Sequence, residues 1–179
     1  MGPAATQGLS TAWRHGILYT LAWTYLALVE MYTGRYLRHW WKYRHLIHSV
    51  VGTLVLALTL AGWIIMMNVQ GWTCSWDNLH VVSGNISTFL IFAMLAGGYV
   101  LLFLQKGVNL DWNTKYITLA RKSHAWLSYF IVITVQVAVM SGFNRRVKRP
   151  NFGPAAAPWF FTENMLVWGL VLLGGEAYH

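Results

Sequence analysis

The stretch Arg44-His45-Leu46-Ile47-His48-Ser49-Val50-Val51-Gly52 opens an apolar run that continues to Met67. Two histidines, His45 and His48, therefore stand at the start of that run. An ionisable side chain in a helix long enough to cross a membrane is energetically costly, so it indicates a functional site. Three more helical runs of the chain begin with a histidine, and the spacing of these histidines is the basis for a functional prediction.

Composition places the chain among membrane proteins. Of its 179 residues, 56% are hydrophobic and only 10% are charged, whereas about 25% of the residues of a soluble domain are charged. Several runs lack charges for about 18 residues or more, which is enough to cross a hydrocarbon layer about 30 Å thick. We therefore expect an integral, multi-pass membrane protein with a single domain. The sequence leaves its organelle open.

The chain is basic, with 13 Lys and Arg residues against 5 acidic ones and a net charge of +8. In a membrane protein this excess indicates topology and contact with lipid headgroups, so we expect membrane lipids as partners and no nucleic acid. We call the membrane face at which the first helix begins face A, and the opposite one face B. Face B holds eight cations in the expected loops against five on face A, which favours face B as the cytoplasmic or matrix side.

The apolar runs predict an all-α membrane protein with five transmembrane helices. Residues 1–10 are expected to form an N-terminal tail, residues 11–143 a four-helix core, residues 144–158 a loop, and residues 159–179 a fifth transmembrane helix. The four core helices are expected over about Thr11 or Ala12 to Tyr36, Tyr43 to Asn68, Asn78 to Leu104, and Arg121 to Phe143. Glycine and Asp/Asn turn signals separate them.

Histidines near the N-terminal ends of the four core helices predict two sites. Because neighbouring helices are antiparallel, His15 and His80 are expected near face A, and His48 and His124 near face B. Two neutral imidazoles that face each other in a helical bundle suit axial ligation of a flat iron porphyrin. They suit tetrahedral zinc badly, because each face supplies two ligands and no cysteine or carboxylate cluster completes a set. The sequence therefore predicts a four-helix heme-binding bundle.

Glycines near the histidines would leave room for a large, flat group to contact the helices. Gly16 directly follows the first histidine, and Gly52 and Gly84 lie four residues after His48 and His80. A glycine one turn along the same helix face removes the side chain that would strike a bound macrocycle. Sites about one turn inside each face would lie roughly 15–20 Å apart, a separation that suits electron transfer across a membrane.

Other readings of these residues stay open. A single histidine at a helix mouth is usually an interfacial residue with ordinary hydrogen bonds, and His45 competes with His48 because both lie on roughly one helix face. We interpret His48 as the ligand and His45 as a polar neighbour on the side of the heme propionates. Arg35 and Lys122 are candidates for neutralising those propionates.

One stretch of the first helix resembles a known family. It reads His15-Gly16-Ile17-Leu18-Tyr19-Thr20-Leu21-Ala22-Trp23 and is followed by Arg35-Tyr36-Leu37. This pattern is similar to the opening ligand helix of the cytochrome b561 family, above all in the branch whose membrane domain is fused to DOMON modules. The other three core helices resemble the family's later ligand helices through His48 with Gly62 and Trp63, through Leu79 to Gly84, and through Arg121 to His124. The resemblance covers about residues 12–143.

The resemblance implies a cofactor set and an activity. Members of the family bind two b-type hemes between alternate helices and pass electrons across the membrane to monodehydroascorbate or ferric chelates. For this chain it implies two heme b groups, one held by His15 and His80 and the other by His48 and His124. The chain departs from the family in lacking a helix before the first ligand helix, in lacking a DOMON domain, and in placing Glu30 deep in the first helix.

We therefore predict a di-heme b-type transmembrane cytochrome that carries single electrons. If it is an enzyme, it is a monodehydroascorbate or ferric-chelate reductase. The alternative is a small accessory subunit of a larger membrane complex, for example a respiratory one, that binds heme without independent turnover. Both readings imply partner subunits or an electron-donor chain. A heme-free structural subunit is the third reading, in which the histidines only line polar pockets.

Overall fold

A computed structural model describes residues 3–37, 42–73, 76–107, 115–147, 166, 168 and 169. Every regular element in these ranges is a helix, and they contain no strand. The elements are α1 (Pro3–Thr20), a π-helical turn (Leu21–Leu26), α2 (Ala27–Arg35), α3 (Arg44–Gln70), α4 (Leu79–Gly107) and α5 (Lys115–Val147). The first three follow one another without interruption, and we call them together the first helix.

The all-helical prediction is confirmed for the described residues. Three of their helices, α3, α4 and α5, are long and apolar enough to cross a membrane. The expected fifth helix, residues 159–179, lies outside the described residues except for positions 166, 168 and 169. Five spans therefore stay a prediction.

Helix boundaries differ most from the expected ones at the start of the first helix and at both ends of α5, which runs to Val147, inside the expected loop of residues 144–158. The first helix begins at Pro3, inside the expected N-terminal tail; proline is favourable at a first helical position because its fixed φ suits a helix and its missing N–H is not needed there. The last core helix begins at Lys115, before the expected Arg121. The segment from Lys115 to Ala120 contains no Gly, Pro, Asn or Asp that would stop a helix.

Two helix ends follow their sequence signals. The helix α3 ends at Gly71, whose φ of 70° is left-handed and whose N–H bonds the Met67 carbonyl. This is the usual glycine termination of a helix. At the start of α4 the Asn78 side chain accepts a bond of 3.1 Å from the N–H of Val81, as an N-cap residue does.

The bundle packs the first helix on α3, α4 on α5, and α3 on α4. Its most deeply buried side chains include Trp23, Val55, Thr59, Ile131 and Val135. All five lie near the middle of their helices, so the core occupies a layer halfway along the bundle. The histidines of the predicted sites lie above and below this layer.

Candidate functional site

The four predicted histidines meet in two pairs at opposite ends of the core layer. The ring centroids of His15 and His80 are 6.0 Å apart, with an angle of 89° between the ring planes. Those of His48 and His124 are 6.3 Å apart, with an angle of 69°. Each pair joins alternate helices of the bundle. His45 takes part in neither pair, and its side chain is exposed.

Three of these rings are oriented by a backbone carbonyl of a neighbouring helix. The Nδ1 atoms of His15, His48 and His80 lie 2.9, 3.0 and 2.7 Å from the carbonyl oxygens of residues 62, 30 and 138. A carbonyl only accepts, so in each case Nδ1–H is the donor. The neutral ring then carries its lone pair on Nε2. This tautomer is the one that metal-binding histidines adopt when a backbone acceptor fixes them.

Two glycines permit these bonds. A Cβ built on Gly34 would lie 2.7 Å from Nδ1 of His48, and one built on Gly142 would lie 2.7 Å from Cε1 of His80. Each glycine is four residues after the accepting carbonyl, at Glu30 and Ala138 respectively. Because helical side chains lean toward the N-terminus, a side chain at position i+4 covers the carbonyl of position i. Only glycine leaves that carbonyl open to a ring from another helix.

The glycines predicted from the sequence have other surroundings. A Cβ at Gly16 or Gly84 would meet nothing within 4 Å. Space is therefore present beside both, and Gly84 lies one turn beyond His80 on the same helix face. A Cβ at Gly52 would lie 3.5 Å from the Glu30 carboxyl oxygen. Gly52 thus lies against the Glu30 side chain, which differs from the role we expected for it.

The face A pair is surrounded by aromatic and hydroxyl groups. The Tyr19 ring lies 4.6 Å from the His15 ring between centroids. Its hydroxyl is 3.0 Å from Oγ1 of Thr88, which in turn donates to the Gly84 carbonyl, so Tyr19 is the donor to Thr88. A Cβ on Gly62 would come within 2.8 Å of the Tyr19 ring. The glycine that supplies the carbonyl to His15 therefore also makes room for the tyrosine beside it.

The face B pair has an acidic neighbour instead. The carboxyl Oε1 of Glu30 lies 3.3 Å from Nδ1 of His48, and the two side chains are 15% and 29% exposed. The Nδ1–H of His48 thus points toward both the carbonyl and the carboxyl group of one residue. Glu30, which the sequence places deep in the first helix, therefore lies beside the face B pair.

The predicted propionate partners are at face B. The Arg35 guanidinium carbon lies 5.1 Å from the Tyr129 ring centroid and 5.8 Å from that of Tyr36. This arrangement holds the cation near the α5 helix, about one and a half turns from His124. Lys122 is exposed on the same helix. Both cations are therefore on the helices that carry or flank the face B pair.

Each histidine pair offers two imidazole rings as possible metal ligands. The described part of the chain contains no group of three or more His, Cys, Asp or Glu residues that could hold a metal ion. A heme iron would need only two ligands from the protein, because the porphyrin would supply the other four. If both rings of a pair bound one iron through Nε2 at about 2.0–2.1 Å, their centroids would lie about 6.2–6.4 Å apart. The observed 6.0 and 6.3 Å lie close to this separation.

Sequence reasoning missed the glycines and carbonyls that hold the rings. A repeated spacing along the helices is a sequence signal for the glycines, whereas the carbonyls leave no such signal. In α4 and in α5 a glycine stands eighteen positions after the histidine, at Gly98 after His80 and at Gly142 after His124. A Cβ built on Gly98 would lie 3.6 Å from Cε1 of His124. The first helix repeats the pattern with one position more, ending at Gly34.

Comparison of the chain with protein-family models, with curated proteins and with solved structures gives no match.

Proposed function

We propose that this protein is a di-heme b-type transmembrane cytochrome that carries single electrons across a membrane. His15 and His80 would hold one heme b near face A, and His48 and His124 the other near face B. When bound, each heme supplies reversible one-electron oxidation and reduction. The observation that carries the proposal is the meeting of four histidines in two pairs, at 6.0 and 6.3 Å, three of them with Nδ1–H bonded to a carbonyl.

The bundle contributes three things to this function. The backbone acceptors fix the tautomer and orientation of the rings, which raises their basicity as ligands. The buried layer with Trp23 and Thr59 at its centre separates the two sites. Along α3, His48 and the Gly62 carbonyl that orients the face A ring are fourteen positions apart, about 21 Å at about 1.5 Å per residue. Two sites at that distance would divide electron transfer across a membrane about 30 Å thick into short steps.

The partners and substrates are proposed on the resemblance to the cytochrome b561 family. They comprise a donor such as ascorbate or an electron-donor chain at one face, and monodehydroascorbate or a ferric chelate at the other. Basic residues near face B, including Arg35 and Lys122, suit both heme propionates and anionic substrates. The proposed environment is a lipid membrane crossed several times by the chain.

The first experiment measures heme directly. The purified protein in detergent should show a reduced-minus-oxidised spectrum of a b-type cytochrome, and a pyridine hemochrome assay should give about two hemes per chain. Changing His80 or His124 to Ala should remove one heme each, whereas His45→Ala should remove none. A parent protein free of heme after expression with ample heme supply would refute the proposal.

A second experiment separates an independent electron carrier from a dependent subunit. The protein is inserted into liposomes that enclose a ferric chelate, and ascorbate is added outside. An independent carrier reduces the enclosed iron, and the His80→Ala and His124→Ala variants do not. A protein with two hemes that passes no electrons under these conditions is an accessory subunit that needs its partner chains.

A further inference from the structure

The first helix has one residue more than its partner α3 between two reciprocal contacts. His15 donates to the carbonyl of Gly62, and His48 donates to the carbonyl of Glu30. These two bonds link the same two helices, near opposite ends. On α3 the second linked position, Gly62, comes fourteen positions after His48. On the first helix Glu30 comes fifteen positions after His15.

A second set of spacings shows the same surplus. On α5, Gly142 comes eighteen positions after His124. Gly142 faces the ring of His80, which belongs to the other pair. On α4, Gly98 likewise comes eighteen positions after His80. The corresponding spacing on the first helix is nineteen, ending at Gly34. The extra residue is therefore peculiar to the first helix and lies between its two contacts.

One extra residue would break the arrangement in a regular α-helix. Fourteen residues are about 3.9 turns, so positions at this spacing face nearly the same direction. A fifteenth residue turns the second position by about 100° and moves it about 1.5 Å along the axis. Since α3 keeps the spacing of fourteen, His15 and the Glu30 carbonyl could not both meet their partners on that helix.

The π-helical turn Leu21–Leu26 lies inside the interval that holds the surplus. A π turn closes its hydrogen bonds from i to i+5, so it takes up one residue more per turn than an α-helix. Its residues are also fixed by packing: Ala22 is fully buried, and Trp23 is 3% exposed and donates from Nε1 to Thr59 at 3.0 Å. We propose that this π turn corrects the register of the first helix. It accommodates the extra residue and thereby keeps both predicted heme sites aligned on that helix.

The test deletes one residue inside the turn and one outside it. Tyr25 is in the turn and 54% exposed, and Leu54 is between the two contacts on α3 and 46% exposed. Deletion of Tyr25 should convert the turn to regular α-helix and restore the spacing of fourteen, so both hemes should stay bound. Deletion of Leu54 shortens the α3 spacing to thirteen, so it should cost at least one heme per chain in the pyridine hemochrome assay.

The heme readout rests on the proposed function, so a readout without heme accompanies it. The unfolding temperature of the heme-depleted proteins in detergent should change by less than about 4 °C on deletion of Tyr25. It should fall by clearly more on deletion of Leu54. If the parent protein binds no heme, the proposed function is wrong, but the comparison of unfolding temperatures still tests the register proposal. The register proposal is wrong if the Tyr25 deletion unfolds, loses a heme or is as unstable as the Leu54 deletion, or if the Leu54 deletion is tolerated.

Discussion

Changing Gly142 to Ala should weaken one heme site and leave the other intact. The added Cβ would lie 2.7 Å from Cε1 and 2.8 Å from Nδ1 of His80. A comfortable carbon–carbon contact begins at about 3.5 Å, so the ring must retreat by about 0.8 Å. The bond from Nδ1 to the Ala138 carbonyl, now 2.7 Å, would lengthen to about 3.5 Å, beyond the normal range of such bonds.

The expected loss can be given as an affinity. Removing the partner that orients a ligating histidine typically lowers metal affinity about 10–100-fold, or about 1.4–2.8 kcal/mol. Heme titrated into the heme-depleted Gly142→Ala protein should therefore bind in two phases, one as tight as in the parent and one weaker by that factor. The Soret absorbance follows both phases.

Gly97→Ala is the matched control, because a Cβ there would meet nothing within 4 Å. It should bind both hemes as the parent does. Equal affinity of Gly142→Ala and the parent for both hemes would contradict the geometry. So would an equal loss in the control, since it would trace the effect to glycine replacement in general rather than to the His80 ring.

Three further substitutions test other contacts. Thr59→Val should lower the free energy of unfolding by about 1–3 kcal/mol, because it leaves the buried Nε1–H of Trp23 without an acceptor; thermal unfolding of Thr59→Ser, which keeps the hydroxyl, is the control. Glu30→Gln should retain both hemes in the hemochrome assay, because the backbone carbonyl that holds His48 is unchanged; loss of one heme would show that the carboxyl group is the holding group. Tyr19→Phe should cost only about 0.5–1.5 kcal/mol in the same unfolding measurement, whereas Tyr19→Ala should cost about 3–5 kcal/mol as a large-to-small change in the core.

The sequence allowed the helices and the partners of the histidines to be predicted. Length and apolarity predicted helices near α3, α4 and α5, and alternation of antiparallel helices predicted which histidine lies on the same face as which. Both depend on periodicities that a single sequence displays directly. The role of His15, His80, His48 and His124 as heme ligands stays a prediction, to be tested by the heme measurements above.

The groups that surround the histidine rings were not predicted from the sequence. The acceptors at positions 30, 62 and 138 are backbone carbonyls, which every residue possesses, so residue identity gives no sign of them. Gly34 and Gly142 escaped notice because they are far along the chain from the histidines that they face. The π turn has no distinct composition. Its presence follows from a count of residues between contacts that only the folded chain reveals.

The use of carbonyls to orient the histidines has a consequence for how this protein can diverge. A side-chain acceptor would tie the site to one residue type, whereas a main-chain acceptor survives any substitution of its own residue that preserves the helix. The residues that the site constrains are then few: four histidines and the glycines that stand beside their rings. Relatives of this chain could differ at most other positions and still build the same two sites. The separation between histidine and glycine along each helix is therefore a better guide to such relatives than overall identity.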